Sequence, residues 1–234
     1  MQVPERRARL VVLASGSGTN LQAVLDACAD DRLGADVVAV VSDRVDAFAL
    51  DRADRAGVPS VRVRVHDGEA RSDYDARMAD VVAGFAPDYV ILAGWMRILT
   101  MSFVGWFPDR VINLHPALPG ELPGTKSIER AWEQGCAGER DHSGVMVHLV
   151  PDEGVDDGPV LGTCSVPLDA KGTLADFEKR MHAAEHALLV EVLAGLCPPL
   201  PSTSGAAEQD QPSPQQRTRR PSPRVSPRAS EVSL

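Results

Sequence analysis

The sequence predicts an α/β fold, a single doubly wound and mostly parallel sheet flanked by helices, and three observations carry that expectation. Short apolar runs of strand length alternate with longer stretches of helical period from residue 9 to residue 114. A glycine-rich loop, Ser15-Gly16-Ser17-Gly18-Thr19-Asn20, follows the first apolar run and opens the first helical stretch, as in nucleotide-binding sheets. The 234 residues, 44% hydrophobic and 24% charged, suffice for a sizeable core in a soluble globular chain.

Each element has its own signal. Residues 9–14 (RLVVLA) form a nearly continuous apolar run, the mark of a strand buried on both faces. A helix follows over about 20–29, then a second apolar strand over 36–42. A helix over 47–56 is ended by Gly57, and a third strand spans 60–65. The helical stretch at 69–85 stops before Pro87, which disfavours helix in the residue preceding it. Strands at 89–93 and 110–114 flank a short helical stretch at 101–106. Residues 116–124 are rich in Pro and Gly, have no periodicity, and read as a loop lying over a site. A helix at about 127–133 precedes two late strands, 145–150 and 160–166, whose short connection is compatible with an antiparallel pair. The last helix runs over 174–196, and the chain has no internal repeats.

Composition narrows the function classes. A net charge of −9 argues against a general nucleic-acid binder, so an anionic ligand needs local help from backbone N–H groups or a few arginines. The four cysteines, Cys28, Cys136, Cys164 and Cys197, form no C-x-x-C pair and indicate neither a disulfide framework nor a zinc site. The start carries charges of both signs with no long apolar run after it, which predicts no signal peptide, no membrane span and a cytoplasmic location. From Cys197 the composition shifts to Pro, Ser, Gln and Arg. Residues 1–197 therefore read as one domain and 198–234 as a disordered tail unable to bury enough surface to offset its ordering entropy.

Two clusters carry chemistry. Asn113 and His115, in Ile112-Asn113-Leu114-His115-Pro116, and Asp156, in Val155-Asp156-Asp157-Gly158-Pro159, bring together the parts of an acyl transfer. An imidazole moves protons near pH 7, an amide donates to a developing oxyanion, and a carboxylate orients the imidazole. No Ser or Cys nucleophile is required if a substrate amine attacks. The same residues are also compatible with a plain strand end and turn. The glycine loop lacks the third glycine of the dinucleotide fingerprint, Leu21 standing there, and no Gly-Lys follows as in a Walker loop. It suits a single phosphate monoester, and equally a tight turn capped by Ser and Thr. In a doubly wound sheet both clusters fall at the C-terminal edge of the strands.

Four motifs in order, Ser15-Gly16-Ser17-Gly18-Thr19-Asn20-Leu21, Leu92-Ala93-Gly94-Trp95-Met96-Arg97-Ile98-Leu99, Asn113-Leu114-His115-Pro116 and Asp156-Asp157-Gly158-Pro159-Val160, resemble the phosphoribosylglycinamide formyltransferases of purine synthesis, within the folate-dependent formyltransferase superfamily. The resemblance spans about residues 9–196. It implies transfer of a formyl group from 10-formyltetrahydrofolate to the amine of glycinamide ribonucleotide, with no metal, by a monomer or homodimer that binds neither nucleic acid nor membrane. Asn113 and His115 would stabilise the tetrahedral intermediate, and Asp156 would hold His115 and relay protons through water. Gly18, Thr19 and Asn20, helped by Arg71, would hold the phosphate of the ribonucleotide, whose polar part would meet Glu185. Met96, Arg97, Ile98 and Leu99 would line the folate pocket, and His148 reads as a partner of the site rather than a catalyst.

The sequence departs from the resemblance in places. The loop after His115 reads Ala117-Leu118-Pro119-Gly120-Glu121-Leu122-Pro123-Gly124, Lys126 stands where a His is common, Val145 stands where a small polar residue is frequent, and Gly154 lengthens the turn before Asp156. A formyltetrahydrofolate hydrolase would use water as acceptor and usually carries a further N-terminal domain, for which the chain has no room. A methionyl-tRNA formyltransferase would need a C-terminal RNA-gripping domain. A non-catalytic flavodoxin-like module would hold a flavin phosphate in the glycine loop.

Overall fold

A computed structural model describes residues 6–169 and 171–200. The elements are β1 (Ala8–Leu13), α1 (Thr19–Ala29), β2 (Ala35–Ser42), α2 (Phe48–Arg55), β3 (Ser60–Arg62), α3 (Arg71–Ala83), β4 (Tyr89–Leu92), α4 (Met101–Val104), β5 (Val111–His115), α5 (Ser127–Cys136), β6 (His142–Leu149), β7 (Val160–Pro167) and α6 (Leu174–Leu196). They build one seven-stranded sheet in the order β3-β2-β1-β4-β5-β6-β7.

Successive side chains of a strand point to opposite faces, so β1 feeds two cores. Leu10 and Val12 pack with Leu21 and Val24 of α1 and with Met181 and Leu189 of α6. Val11 and Leu13 pack on the other face with Tyr74 and Met78 of α3 and Phe103 of α4. Burial on both sides explains why the run at β1 is apolar throughout rather than alternating.

The site follows from the order of the strands. β1 pairs in parallel with both β2 and β4. The chain therefore leaves β1 towards β2 and β3, then returns through α3 to lay β4 on the opposite side. The loops after β1 and β4 diverge there, opening a crevice at their C-terminal ends. β4 and β5 pair in parallel. β6 then joins β5 antiparallel, setting Asn113 opposite His148 and His115 opposite Met146, and β7 continues antiparallel on β6. Directly opposed residues share a face, so the pairing itself brings Asn113 to His148.

Several boundaries differ from the sequence reading. β3 keeps three of the six predicted residues. α3 starts at Arg71 because Ala70 is extended (φ −64°, ψ 146°), and its cap at Gly84 ends it two residues early. α4 stops at Val104, and α5 runs on to Cys136. β6 begins at His142, three residues before its apolar run, because ladder pairing with β7, not hydrophobicity, selects His142, Ser143 and Gly144. α6 matches its predicted span, with Thr173 Oγ1 accepting from the Asp176 N–H at 3.2 Å as N-cap. Its C-terminal end is tied back to the sheet by the Gly34 N–H, which donates to the Cys197 carbonyl at 2.8 Å. The described residues, 6–169 and 171–200, form one compact unit; the tail expected over 198–234 lies, beyond residue 200, outside the described residues.

Ile91 is fully buried on β4 in the core shared by α1 and α6. Ile91→Ala is expected to lower unfolding free energy by about 2–5 kcal/mol, read from the denaturant midpoint.

Candidate functional site

A cavity of about 570 Å³ opens at the C-terminal edge of β1, β4 and β5. Its wall is built by the glycine loop, the segment after β4, the end of β5, the N-terminus of α5, the turn carrying Asp156, and α6. The volume suits a small-molecule site.

The reactive cluster meets at Asp156. Its Oδ1 accepts from the Asn113 amide at 3.0 Å, and its Oδ2 accepts from the Gly124 N–H at 2.9 Å. His115 Nδ1 lies 3.2 Å from the same Oδ2, and His115 Nε2 lies 3.1 Å from the Leu122 carbonyl. Ser127 Oγ also donates to that carbonyl, at 2.9 Å. His148 Nδ1 sits 2.8 Å from the Leu149 carbonyl, which can only accept. The proton is therefore on Nδ1, and Nε2 accepts from Asn113 Nδ2 at 3.0 Å. Both amide hydrogens of Asn113 are thus engaged, one by Asp156 and one by His148. Donation to a substrate oxygen requires one of them to exchange.

The backbone is bent to make this possible. Asp156, Leu122 and Lys126 all have left-handed φ values, 56°, 44° and 58°, which cost non-glycine residues energy and cluster where function demands them. Gly158 follows because an added Cβ would come within 1.9 Å of the Leu149 carbonyl oxygen.

Electrostatics divide the cluster. Burial is the largest influence on His115 and holds its pKa below 6.5; the Asp156 charge and the Leu122 carbonyl pull the other way without prevailing. Burial would raise the Asp156 pKa, but hydrogen bonding, from the Gly124 N–H among others, and the His115 charge outweigh it and keep the group below its ordinary value. At neutral pH Asp156 is ionised beside a largely neutral His115 that can accept or return a proton.

At the other end of the cavity, Gly18 is the N-cap of α1 at φ 70°, with no side-chain cap. The first helical bond runs from the Gln22 N–H to the Gly18 carbonyl at 2.9 Å, leaving the Thr19, Asn20 and Leu21 N–H groups open as an anion site. A Cβ at position 18 would lie 2.8 Å from the Ala49 Cα, so glycine is needed for packing as well as conformation. Asn20 Oδ1 is buried with no hydrogen-bond partner among the described residues. Glu185, 5% exposed, faces the same cavity from α6, with Oε2 2.5 Å from His182 Nδ1.

The segment after β4 gives a mixed result. Met96 and Ile98 line the cavity and are 57% and 54% exposed, whereas Leu99 is buried at its base. Arg97 reaches the cavity, but its Nε donates to Asp43 Oδ2 at 2.7 Å and its guanidinium lies over the Tyr74 ring, 5.8 Å from the centroid. Asp43 Oδ1 accepts from Ser15 Oγ at 2.8 Å, and Ser15 Oγ accepts from the Met96 N–H at 3.2 Å. Asp43 thereby ties the start of the glycine loop to the segment carrying Met96 and Arg97.

Arg71 is the exception among the sequence-predicted residues. It does not line the cavity; it stands in the first turn of α3, its Nε donating to the fully buried Asp75 at 3.0 Å. Asp75 in turn accepts from the Thr100 N–H at 2.7 Å, so this pair braces the base of the segment after β4 rather than the glycine loop. Sequence reasoning passed over Asp43 and His182. The one available signal was that Asp43 directly follows β2, on the same edge as the glycine loop. Among the described residues no cluster of three or more His, Cys, Asp or Glu is arranged to hold a metal ion, and no helix is long and apolar enough to cross a membrane.

Residues 8–193 match the formyl transferase family. The phosphoribosylglycinamide formyltransferase of Escherichia coli (strain K12) is 38% identical over 185 residues, covering 79% of this chain and 85% of that protein. The protein of that name from Dictyostelium discoideum is 38% identical over 198 residues, covering 78% of this chain and 94% of the relative. In three dimensions the chain is similar to glycinamide ribonucleotide transformylase 1 from Symbiobacterium toebii, with a TM-score of 0.76 and 37% identity over 82% of this chain and 89% of the other.

The electrostatic balance at His115 gives a signed prediction. Its imidazole is expected to titrate below 6.5 by NMR, and lower again in Asp156→Asn, because the substitution removes the main charge that opposes burial. An unchanged or higher value in the variant would contradict the balance described.

Proposed function

The chain belongs to the formyl transferase family and is a formyltransferase enzyme; on that premise we propose that it moves a formyl group from 10-formyltetrahydrofolate to the amine of glycinamide ribonucleotide. The observation that carries this reading is the meeting of Asn113, His115 and Asp156 at one end of a cavity whose other end is the uncapped N-terminus of α1. A phosphate on the Thr19, Asn20 and Leu21 N–H groups would leave the amine of the ribonucleotide to extend towards Glu185 and His115, with Asn20 Oδ1 as a waiting acceptor. Met96, Ile98 and Leu99 supply an apolar wall suited to a pterin ring. Arg97, held by Asp43, would offer its guanidinium N–H groups near the polar part of the folate.

The residues would act as follows. The amine nitrogen forms a bond to the formyl carbon, and the carbonyl oxygen takes up negative charge. Asn113 and His115 stabilise that charge, Asn113 by exchanging one of its present hydrogen bonds for one to the oxyanion. The bond from the formyl carbon to N10 of the folate then breaks, and the proton lost by the amine reaches N10 through His115 and water held by Asp156. A second opening of about 400 Å³, lined in part by Pro119, Met146 and Gly158, also borders Asp156. Arg71 takes no direct part in this scheme. Residues 1–197 would constitute the catalytic domain, working in the cytoplasm as a monomer or homodimer on small-molecule substrates.

Mixing the protein with 10-formyltetrahydrofolate, with and without glycinamide ribonucleotide, tests the reading. Formylated ribonucleotide should form only when both are present; deformylation without acceptor would favour a hydrolase instead. His115→Ala and Asp156→Asn should each lower kcat by about 10²–10⁴-fold while changing ribonucleotide affinity less than about threefold. Gly18→Ala should weaken ribonucleotide binding at least tenfold, measured calorimetrically, because the loop must shift to relieve the contact with Ala49.

A further inference from the structure

His115 is gripped from two sides. Asp156 Oδ2 lies 3.2 Å from its Nδ1, and the Leu122 carbonyl lies 3.1 Å from its Nε2. The second partner belongs to the segment between β5 and α5, which has neither helix nor strand. Leu122 also keeps a left-handed φ of 44°, a conformation that persists only where the surroundings enforce it. Downstream, Ser127 Oγ donates to the Leu122 carbonyl at 2.9 Å, Arg130 Nη1 donates to the Pro123 carbonyl at 2.9 Å, and Asp156 takes the Gly124 N–H. Upstream, the Glu121 N–H donates to the Leu118 carbonyl at 3.0 Å, and Leu118 packs against Gly144 of β6, where an added Cβ would lie 2.5 Å from its Cδ2. A further anchor is the Glu121 carboxylate, which accepts from Arg140 Nη1. Arg140 is itself fixed, its Nε donating to Gln134 Oε1 of α5 at 3.0 Å and its Nη1 lying 3.4 Å from the His142 carbonyl at the start of β6.

The loop that departs from the family resemblance thus carries an ion pair next to the peptide that meets His115. Neither Glu121 nor Arg140 lines the larger cavity, so any effect of the pair on the reaction passes through the loop. Resting on the assignment of His115 above, we propose that Glu121 and Arg140 are positioning residues, whose ion pair holds the Leu122 peptide so that its carbonyl keeps the His115 ring aimed for proton transfer. A ring held at one nitrogen can still turn about its Cβ–Cγ bond. A contact at the opposite nitrogen removes that freedom, and proton transfer depends on aim. The two side chains are 16% and 32% exposed, so the pair adds little to global stability and its task is local. The Glu121 and Leu122 backbones pull the His115 pKa up against the larger effect of burial. Loosening them therefore lowers it further, while Asp156 and His148, the titratable groups facing the ring, stay in place.

The test compares the wild type with Glu121→Gln, Arg140→Gln, the double variant and Arg140→Lys, each melted to confirm folding. Each Gln variant should lower kcat about tenfold and leave KM for both substrates within about threefold. The double variant should lose no more than either single one, because both remove the same pair. Arg140→Lys keeps the charge and should retain most of the activity. In NMR of the substrate-free protein, His115 should titrate lower in the Gln variants than in the wild type, a shift that a general loss of stability would not produce. Should a Gln variant fail to fold, Glu121→Asp, which draws the carboxylate back from Arg140, carries the same two readouts. Unchanged kcat, losses that add in the double variant, a loss confined to KM, or an unmoved His115 titration would overturn the assignment while leaving the reaction intact. A wild type that formylates nothing would overturn the function reading instead; the titration needs no substrate and still decides whether the pair holds His115.

Discussion

The carboxylate of Asp156 is the point on which the reactive end of the molecule depends. It receives the Asn113 amide and the Gly124 N–H and lies 3.2 Å from His115 Nδ1, so strand β5, the loop that follows it and the turn before β7 all converge on two oxygens. An ionised carboxylate can satisfy several donors at once, which a neutral side chain of this size cannot. The left-handed backbone at Asp156 is the conformational cost of aiming it there, and the close approach of Gly158 to Leu149 shows how tightly the turn is pressed against β6.

That turn is useful only because the sheet changes character beside it. The parallel half ends at β5, whose C-terminal residue is His115, and an antiparallel strand must then run back along it. This places His148 directly across from Asn113, where its Nε2 can accept an amide hydrogen while its Nδ1 proton is fixed by a carbonyl. At the other end of the cavity the parallel half contributes the uncapped α1 terminus, a feature produced by the crossover between β1 and β4. One half of the sheet thus presents the open N–H groups at the start of α1 and the other an amide, two imidazoles and a carboxylate, with the segment after β4 between them. Asp43 fastens that segment to the glycine loop, so both ligand-facing walls are braced by one buried carboxylate.

Much of this was legible in the sequence, for identifiable reasons. Asn113 and His115 lie two residues apart on one strand, so their shared face is a matter of period, and Gly18 marks a conformation that few other residues adopt. Strands buried on both faces announce themselves as apolar runs, and α6 carries a helical period across its full length. What stayed hidden is what depends on side chains meeting from distant parts of the chain. Asp43 and Arg97 are 54 positions apart, and nothing local in either marks the pairing. Arg71 was assigned from its place before Tyr74-Asp75, but its Nε pairs with Asp75 within the same helix and it is not among the residues that line the cavity. The start of β6 was missed because its first residues are chosen by hydrogen bonding to β7 rather than by their own polarity.

The measurement that tests the central claim most directly is a crystal structure with glycinamide ribonucleotide and a non-reactive formyl-folate analogue bound together. The account predicts the phosphate on the Thr19, Asn20 and Leu21 N–H groups, the amine between Glu185 and His115, and the formyl oxygen within hydrogen-bond reach of Asn113 while Asp156 still holds His115. A phosphate bound elsewhere, or a formyl group remote from Asn113 and His115, would contradict it.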